Sequence, residues 1–317
     1  MKKLIKFLLL SPMILTLSGC GKDQSMSSST KTEPIPVNVV LISGQSNGVG
    51  CTKMNQITRA MGSEKYHEYM EGYPDIQIAY DCWTKDGFGP GETPYFYSQN
   101  KSKDLNFVKV MLGQGNSLAT FGPEIGIAEA LHEEYAGKLF LIKFACGASN
   151  LKDDWTKRNS KMFPRLINFA KLQLNNLVEK GYAPTLKAFC WMQGEGDSYD
   201  GYYQEYEDNT REFVTNVRED LKDFTGGKEL PFIDAGINNS KDPTTGALMW
   251  QYYREVNEAK KAFADSSENN FYIDTIAAGL HTDQEPLGDI DIAHYDSESQ
   301  VQLGHLFAEN FKQFLDK

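Results

Sequence analysis

Four short stretches of this chain carry residues able to do chemistry, and each falls at the end of an apolar run or just before a helix. The first is Gly44-Gln45-Ser46-Asn47-Gly48, which follows the run "VNVVLI" at residues 37–42. A serine hydroxyl is a weak nucleophile until a base and a sharp, exposed turn activate it. Glycines at 44 and 48 permit such a turn. Serine is equally favoured as a helix N-cap, and this stretch alone leaves both readings open. It also matches G-x-S-x-G, the nucleophile elbow of α/β-hydrolases. In that fold, however, the serine follows several strands and an oxyanion loop, whereas Ser46 follows the first strand. A phosphate loop lacks its Gly-Lys-Ser/Thr here, and the dinucleotide glycine pattern is missing too.

Such a serine needs a base, and the chain has five histidines. His67 and His132 lie in charged, helix-like surroundings, His281 in a polar loop and His305 within the last helical segment. His294 stands just before that segment, three residues after Asp291. A short loop of this kind can hold a carboxylate against the imidazole Nδ1 while Nε2 faces a serine. Glu195, in Gln193-Gly194-Glu195-Gly196-Asp197, is a second candidate carboxylate. It reaches the histidine only across the site, so the local Asp291 is favoured. Cys146-Gly147-Ala148-Ser149-Asn150 completes the set with a turn. Serine, amide, turn and Asp-x-x-His together supply the parts of an acyl-transfer site.

These parts need a frame. Apolar runs at 37–42, 138–145, 186–192, 230–237 and 270–275 read as five strands. Helical periodicity spans 123–137, 161–180, 202–224, 250–264 and 297–315, with Ser297 and Gln300 as a capping box for the last. Alternating strands and helices imply a mainly parallel sheet covered on both faces. Ligands in such sheets bind beyond the C-terminal strand ends, where the four stretches fall.

The first 19 residues read as a secretory signal. Lys2, Lys3 and Lys6 precede a short apolar stretch from Leu8 to Leu17, and Leu17-Ser18-Gly19-Cys20 resembles a bacterial lipobox. Cys20 is then expected to carry lipid, tethering the chain to a membrane without spanning it. Residues 20–36 read as a flexible tether and 37–317 as one domain, with no second linker or repeat. Loss of the three signal lysines takes the formal charge from −11 to −14. A chain this acidic is a poor partner for nucleic acid or anionic lipid. Of the remaining cysteines, Cys146 and Cys190 belong to strand-like runs and are expected as buried free thiols. The spacing of Cys51 and Cys82 leaves their state open and resembles no zinc pattern.

Taken in order, these blocks resemble the SGNH hydrolases, and more closely the sialate O-acetylesterase-like group that includes carbohydrate esterase family 6, the acetyl xylan esterases. "SGQSN" resembles the GQSN block of that group, "KFACGASNLKDDW" its AVGGT…W block, "WMQGEGD" its W-x-QGE block and "DIAHYDSESQVQLG" its D-x-x-HF…Q…G block. The likeness runs from about Val37 to the C-terminus. It implies a three-layer αβα sandwich on a central, mainly parallel five-stranded sheet, flavodoxin-like in form. It implies Ser46 as nucleophile, His294 as general acid and base, and Asp291 as orienting carboxylate. The oxyanion would meet the N–H of Ser46, the Gly147-Ala148 turn and the Gln193 side chain, with Gln45, Asn47 and Glu195 in support. No metal or organic cofactor is implied.

Two departures stand out. Ala148 and Gly196 occupy positions where the group has glycine and serine. Residues 51–118 are also longer and more aromatic than expected, with Tyr80, Trp83, Phe88, Tyr95, Phe96 and Tyr97; they read equally as a packed insertion or a sugar-stacking wall. The implied activity is hydrolysis of O-acetyl groups on xylan, sialic acid or another glycan. A non-catalytic glycan-binding lipoprotein on the same fold is the competing class.

Overall fold

The run that opens the sheet is apolar because both its faces are covered. Val39, Val40, Leu41 and Ile42 of β1 (Ile35–Gly44) are all buried, as a central parallel strand requires. The computed structural model describes residues 33–87, 92–286 and 291–317. The signal, Cys20, most of the tether, Phe88 and Asp289 lie outside the described residues. Pro34–Lys317 forms one compact unit.

Seven further strands join β1 in one sheet: β2 (Tyr73–Asp86), β3 (Tyr95–Lys101), β4 (Val108–Val110), β5 (Leu139–Gly147), β6 (Tyr182–Met192), β7 (Phe232–Ala235) and β8 (Asn270–Ile273). Their order is β8-β7-β6-β1-β5-β2-β3, with β4 also on β2. The pairs from β8 to β2 are parallel, whereas β3 and β4 run antiparallel to β2. The five expected strands are β1, β5, β6, β7 and β8, so the mainly parallel class stands. The expected count of five does not, because residues 51–118 supply three more. In β2 the buried Ile76, Ile78, Tyr80 and Cys82 alternate with mostly polar or small neighbours. That is a sheet pattern masked by aromatic and charged flanks. The segment is therefore a packed insertion along most of its length.

Among the helices are α1 (Ser46–Val49), α2 (Ser63–Glu71), α3 (Glu124–Leu131), α4 (Phe163–Glu179), α5 (Tyr206–Leu221), α6 (Tyr253–Asp265) and α7 (Ser297–Leu315). From β1 the chain moves one way to β5 and β2, then returns past β1 to β6, β7 and β8. Successive right-handed crossovers from β5 to β6, β7 and β8 put α4, α5 and α6 on one face, and α3 packs against α7. The expected helix over 123–137 is shorter because residues beyond Leu131 turn towards Gly137, which has φ 67°. The capping box is corrected: Asp296 is the N-cap of α7 and accepts from Ser299 N–H at 3.0 Å. Ser297 instead bonds Glu285 through its Oγ at 3.0 Å.

A buried lysine ties the core together. Lys143 of β5 is fully buried and its Nζ donates to Val49 O (3.0 Å), Gln114 O (2.6 Å) and Glu124 Oε2 (2.7 Å). All three ammonium hydrogens are thereby used, which is what makes a buried lysine tolerable.

Candidate active site

The chain reverses direction across the sheet at β1, whose neighbours β5 and β6 lead away on opposite sides. This is the topological switch point where α/β sheets open a crevice. β1 ends against the end of β6: Gln45 N–H donates to Met192 O at 2.9 Å. Gly44 has φ 142°, and a Cβ there would lie 2.0 Å from Met192 O. No larger residue fits between those backbones. Ser46 then opens α1, while Gln45 occupies the N-cap position without a side-chain cap bond. Ser46 is thus not a capping residue. It lines an open cavity of about 820 Å³, and its N–H belongs to the unpaired first turn of the helix.

β5 delivers Gly147 and Ala148 to the same cavity. Ala148 has φ 60°, the left-handed region that glycine adopts without cost. The position keeps the glycine-like conformation of the resembling block although its residue is alanine. Two bonds fix the turn behind it: Ser149 Oγ donates to Cys146 O (2.7 Å) and Trp155 Nε1 donates to Ser149 Oγ (2.8 Å).

β6 ends in the QGEGD turn, and here one expectation needs correction. Gln193 is fully buried and does not line the cavity. Its Nε2 donates to Gln45 Oε1 (3.1 Å) and Asp197 Oδ2 (2.6 Å), and its Oε1 accepts from Tyr206 O–H (3.0 Å). Both amide hydrogens are committed, so Gln193 has none to offer an oxyanion. Gln45 borders the cavity instead. Its Oε1 is held by Gln193 and by Gly196 N–H at 2.9 Å. Burial raises the Asp197 carboxyl to about 6, while bonds from Leu151 N–H and Gln193 hold it down. Asp197 thereby ties the β5 turn to the β6 turn.

The last stretch brings Asp291 and His294 together, with Nδ1 and Oδ2 2.6 Å apart. Asp291 Oδ1 also accepts Ala293 N–H at 3.1 Å. Burial disfavours the imidazolium, but hydrogen bonds to Asp291 and Cys51 outweigh it and lift His294 to about 10. The same bond holds the Asp291 carboxyl below its usual range. His294 lines the cavity with Ser46. Its loop is clamped from beneath by Asn47, whose Nδ2 donates to Ala293 O (3.3 Å) and whose Oδ1 accepts Tyr295 N–H (3.1 Å). Glu195 holds Asn47 in turn, accepting Nδ2 at 2.7 Å. Glu195 is buried and does not reach the imidazole by hydrogen bond; burial raises its pKa, with Asn47 opposing.

Sequence reasoning missed Cys51 and the outer walls. Cys51 follows Ser46 by five residues and touches His294 from a site lining the cavity. All four described cysteines are free, and Cys82, Cys146 and Cys190 are buried. Among the described residues the aromatic lining is Tyr199, Tyr202 and Trp250; of the aromatics at 80–97, Phe88 lies outside the described residues and none of the others lines the cavity, Tyr95 and Tyr97 included. Those two stack on each other on β3, with ring centres 5.7 Å apart. A second cavity of about 490 Å³, lined by Lys187, Lys228 and Phe314, contains no serine or histidine.

The fold is that of the SGNH-type α/β hydrolases, a mainly parallel sheet between helical layers with the reactive loops at its switch point. The chain belongs to the carbohydrate esterases of the sialic acid-specific acetylesterase family, whose profile matches residues 36–313. It is therefore a member of a family of carboxylic ester hydrolases acting on acetylated carbohydrate. No curated protein matches it. Among solved structures it is similar to a protein from Arabidopsis thaliana, with TM-score 0.58 and 21% identity over 88% of this chain and 99% of that one. It is also similar to NanS, with TM-score 0.55 and 14% identity over 89% and 98%. A carbohydrate acetylesterase from Xanthomonas citri aligns with TM-score 0.51 and 14% identity over 88% and 56%.

Proposed function

We propose that this protein removes O-acetyl groups from carbohydrate through an acetyl-serine intermediate. The observation that carries the reading is the Asp291–His294 contact of 2.6 Å on a loop sharing one cavity with Ser46. Ser46 Oγ attacks the acetyl carbonyl as His294 takes its proton, and Asp291 holds the imidazole by Nδ1. Negative charge on the carbonyl oxygen meets the N–H of Ser46 and the turn at Gly147 and Ala148. Gln45, with Oε1 pinned, brings its Nε2 as the side-chain donor in place of Gln193. The sugar hydroxyl leaves with the proton from His294, and water repeats the route to free the acetate.

Acetylated xylan and acetylated sialic acid are the two substrate readings. Acetate release from both, and from 4-nitrophenyl acetate, by residues 21–317 tests the activity, with Ser46→Ala as control. A protein that binds glycan but releases no acetate from any of them is a binding module, the competing reading. We also propose that Cys20 carries lipid after loss of residues 1–19. An intact Met1 or unmodified Cys20 in membrane-fraction mass spectra removes that part.

A further inference from the structure

The two cations among the described residues of the cavity wall, Lys85 and His294, are each paired with a carboxylate, and that bears on which sugar can enter. A sialic acid presents a carboxylate at neutral pH. Taking it out of water requires a cation or several convergent N–H donors. Apart from His294, Lys85 is the cation among the described lining residues. It is not available: its Nζ lies 2.8 Å from Asp154 Oδ2, with both side chains nearly buried, and Lys85 also sits over the Phe96 ring. Asp154 additionally accepts Asn150 N–H at 2.9 Å. The pair is complete within the wall.

The other lining charges are acidic. Asp153 lines the cavity beside Tyr202, whose hydroxyl donates to it at 3.1 Å, and Glu92 lines it too. The positive charge of His294 is answered by Asp291. Lys152 is taken by Glu205 (3.1 Å) and Gly201 O (2.8 Å). Lys53 lies past the imidazole, in a separate small cavity with Asp291. The residues at 88–91 are Phe-Gly-Pro-Gly and bring no charge wherever they lie, and Asp289 could only add a negative one. The chain as a whole carries −11, so its field adds to the local repulsion of anions.

Resting on the esterase reading above, we infer that the substrate is an O-acetylated saccharide without a carboxylate, and that the site discriminates against acetylated sialic acid through the acidic wall at Asp153. An uncharged sugar suits what the walls offer. Tyr199, Tyr202 and Trp250 present ring surface to its C–H faces, and Asp153 and Asn150 present acceptors to its hydroxyls.

Masking one charge isolates the effect. Acetate release is measured from O-acetyl-N-acetylneuraminic acid, from its methyl ester, in which the carboxylate alone is neutralised, from an O-acetylated methyl xyloside and from 4-nitrophenyl acetate. The methyl ester and the xyloside are expected to exceed the free acid in kcat/KM by about tenfold. That gap is expected to narrow in 0.5 M salt, as screened repulsion does, and in Asp153→Asn. A free acid hydrolysed within twofold of its methyl ester, or faster, overturns the inference while leaving the esterase reading intact. No acetate from any of the four esters removes the esterase reading and this inference with it.

Discussion

Asn47 and Glu195, 148 residues apart, meet through Nδ2 and Oε1 at 2.7 Å beneath the catalytic rim. The same amide bonds the backbone on either side of His294. Glu195 therefore acts on the imidazole at one remove, by fixing the residue that fixes its loop. Asp291 acts on it directly. Glu195→Gln is expected to lower kcat by about tenfold, the order expected from weakening one charge-assisted bond. Asp291→Asn is expected to lower it by about 10⁴, as replacement of the orienting carboxylate does in serine hydrolases. Steady-state kinetics on an aryl acetate rank the two. A dead Glu195 variant beside a nearly normal Asp291 variant makes Glu195 the third triad member.

The pH dependence follows from the groups around His294. A general base works in its neutral form, and the hydrogen bonds to Asp291 and Cys51 favour the charged one, lifting His294 to about 10. The rising limb of kcat/KM is therefore expected well above the ordinary histidine value of about 6.5. Cys51→Ala removes one bond to the imidazole, so the midpoint should move to lower pH. Asp291→Asn should move it the same way while reducing the plateau. A Cys51→Ala midpoint that stays put or rises contradicts the contact. For stability the signs differ. The His294 contribution is full below its ordinary value and is lost as pH rises towards 10. That of Asp291 is present above its ordinary value and is lost as pH falls through its lowered one. The pair supports the fold most between those limits, which urea midpoints across pH can follow.

Much of this site is legible in the sequence because each part sits at a strand end, and strand ends share one rim in a parallel sheet. Ser46, His294 and the Gly147-Ala148 turn come to one cavity, and Asp291 is bonded to His294 from beside it. Gln193 misleads because the sequence says which residue follows β6 but not which way its amide points. That is decided by Tyr206, on a helix further along the chain, and by Asp197, both of which draw it inward. β2 is hidden for a different reason. Its parallel partner β5 lies more than fifty residues on, and its buried positions alternate among aromatics and acids. Cys51 gives no local signal, since its neighbour His294 is supplied from the other end of the chain.

Lys143 offers a test of the scaffold apart from the chemistry. Its ammonium joins β5 to the turn after Ser46, through Val49 O, and to the insertion, through Gln114 O. Lys143→Met leaves Glu124 buried with its partner gone, which typically costs about 3–5 kcal/mol. That is a large share of a stability of about 5–15 kcal/mol. Urea denaturation is expected to register the loss, and Lys143→Met with Glu124→Gln to recover part of it. A double variant no better than the single one makes the carbonyl contacts, and not the stranded carboxylate, the source of the cost.

Gln45 and Gln193 are bonded to each other, yet their replacement should have different signatures. Gln193→Ala takes away a partner of Gln45, Asp197 and Tyr206 inside a buried network. Each of these keeps at least one other bond, Gln45 from Gly196 N–H, Asp197 from Leu151 and Lys152 N–H and Tyr206 to Gln193 O. The expected cost is then about 2–3 kcal/mol of stability, with activity falling because the turns loosen. Gln45→Ala removes the side chain that borders the cavity and that we propose as the donor to the oxyanion. A donor that acts at the transition state lowers kcat by about 10²–10³ when lost, with KM little changed. Its stability cost should be the smaller of the two, since it borders the cavity, where water can reach the groups it leaves. Kinetics and urea melts on both variants separate the roles. If Gln45→Ala raises KM at normal kcat, that amide recognises the sugar. If Gln193→Ala loses kcat by 10² or more without any loss of stability, Gln193 supplies the donor after all.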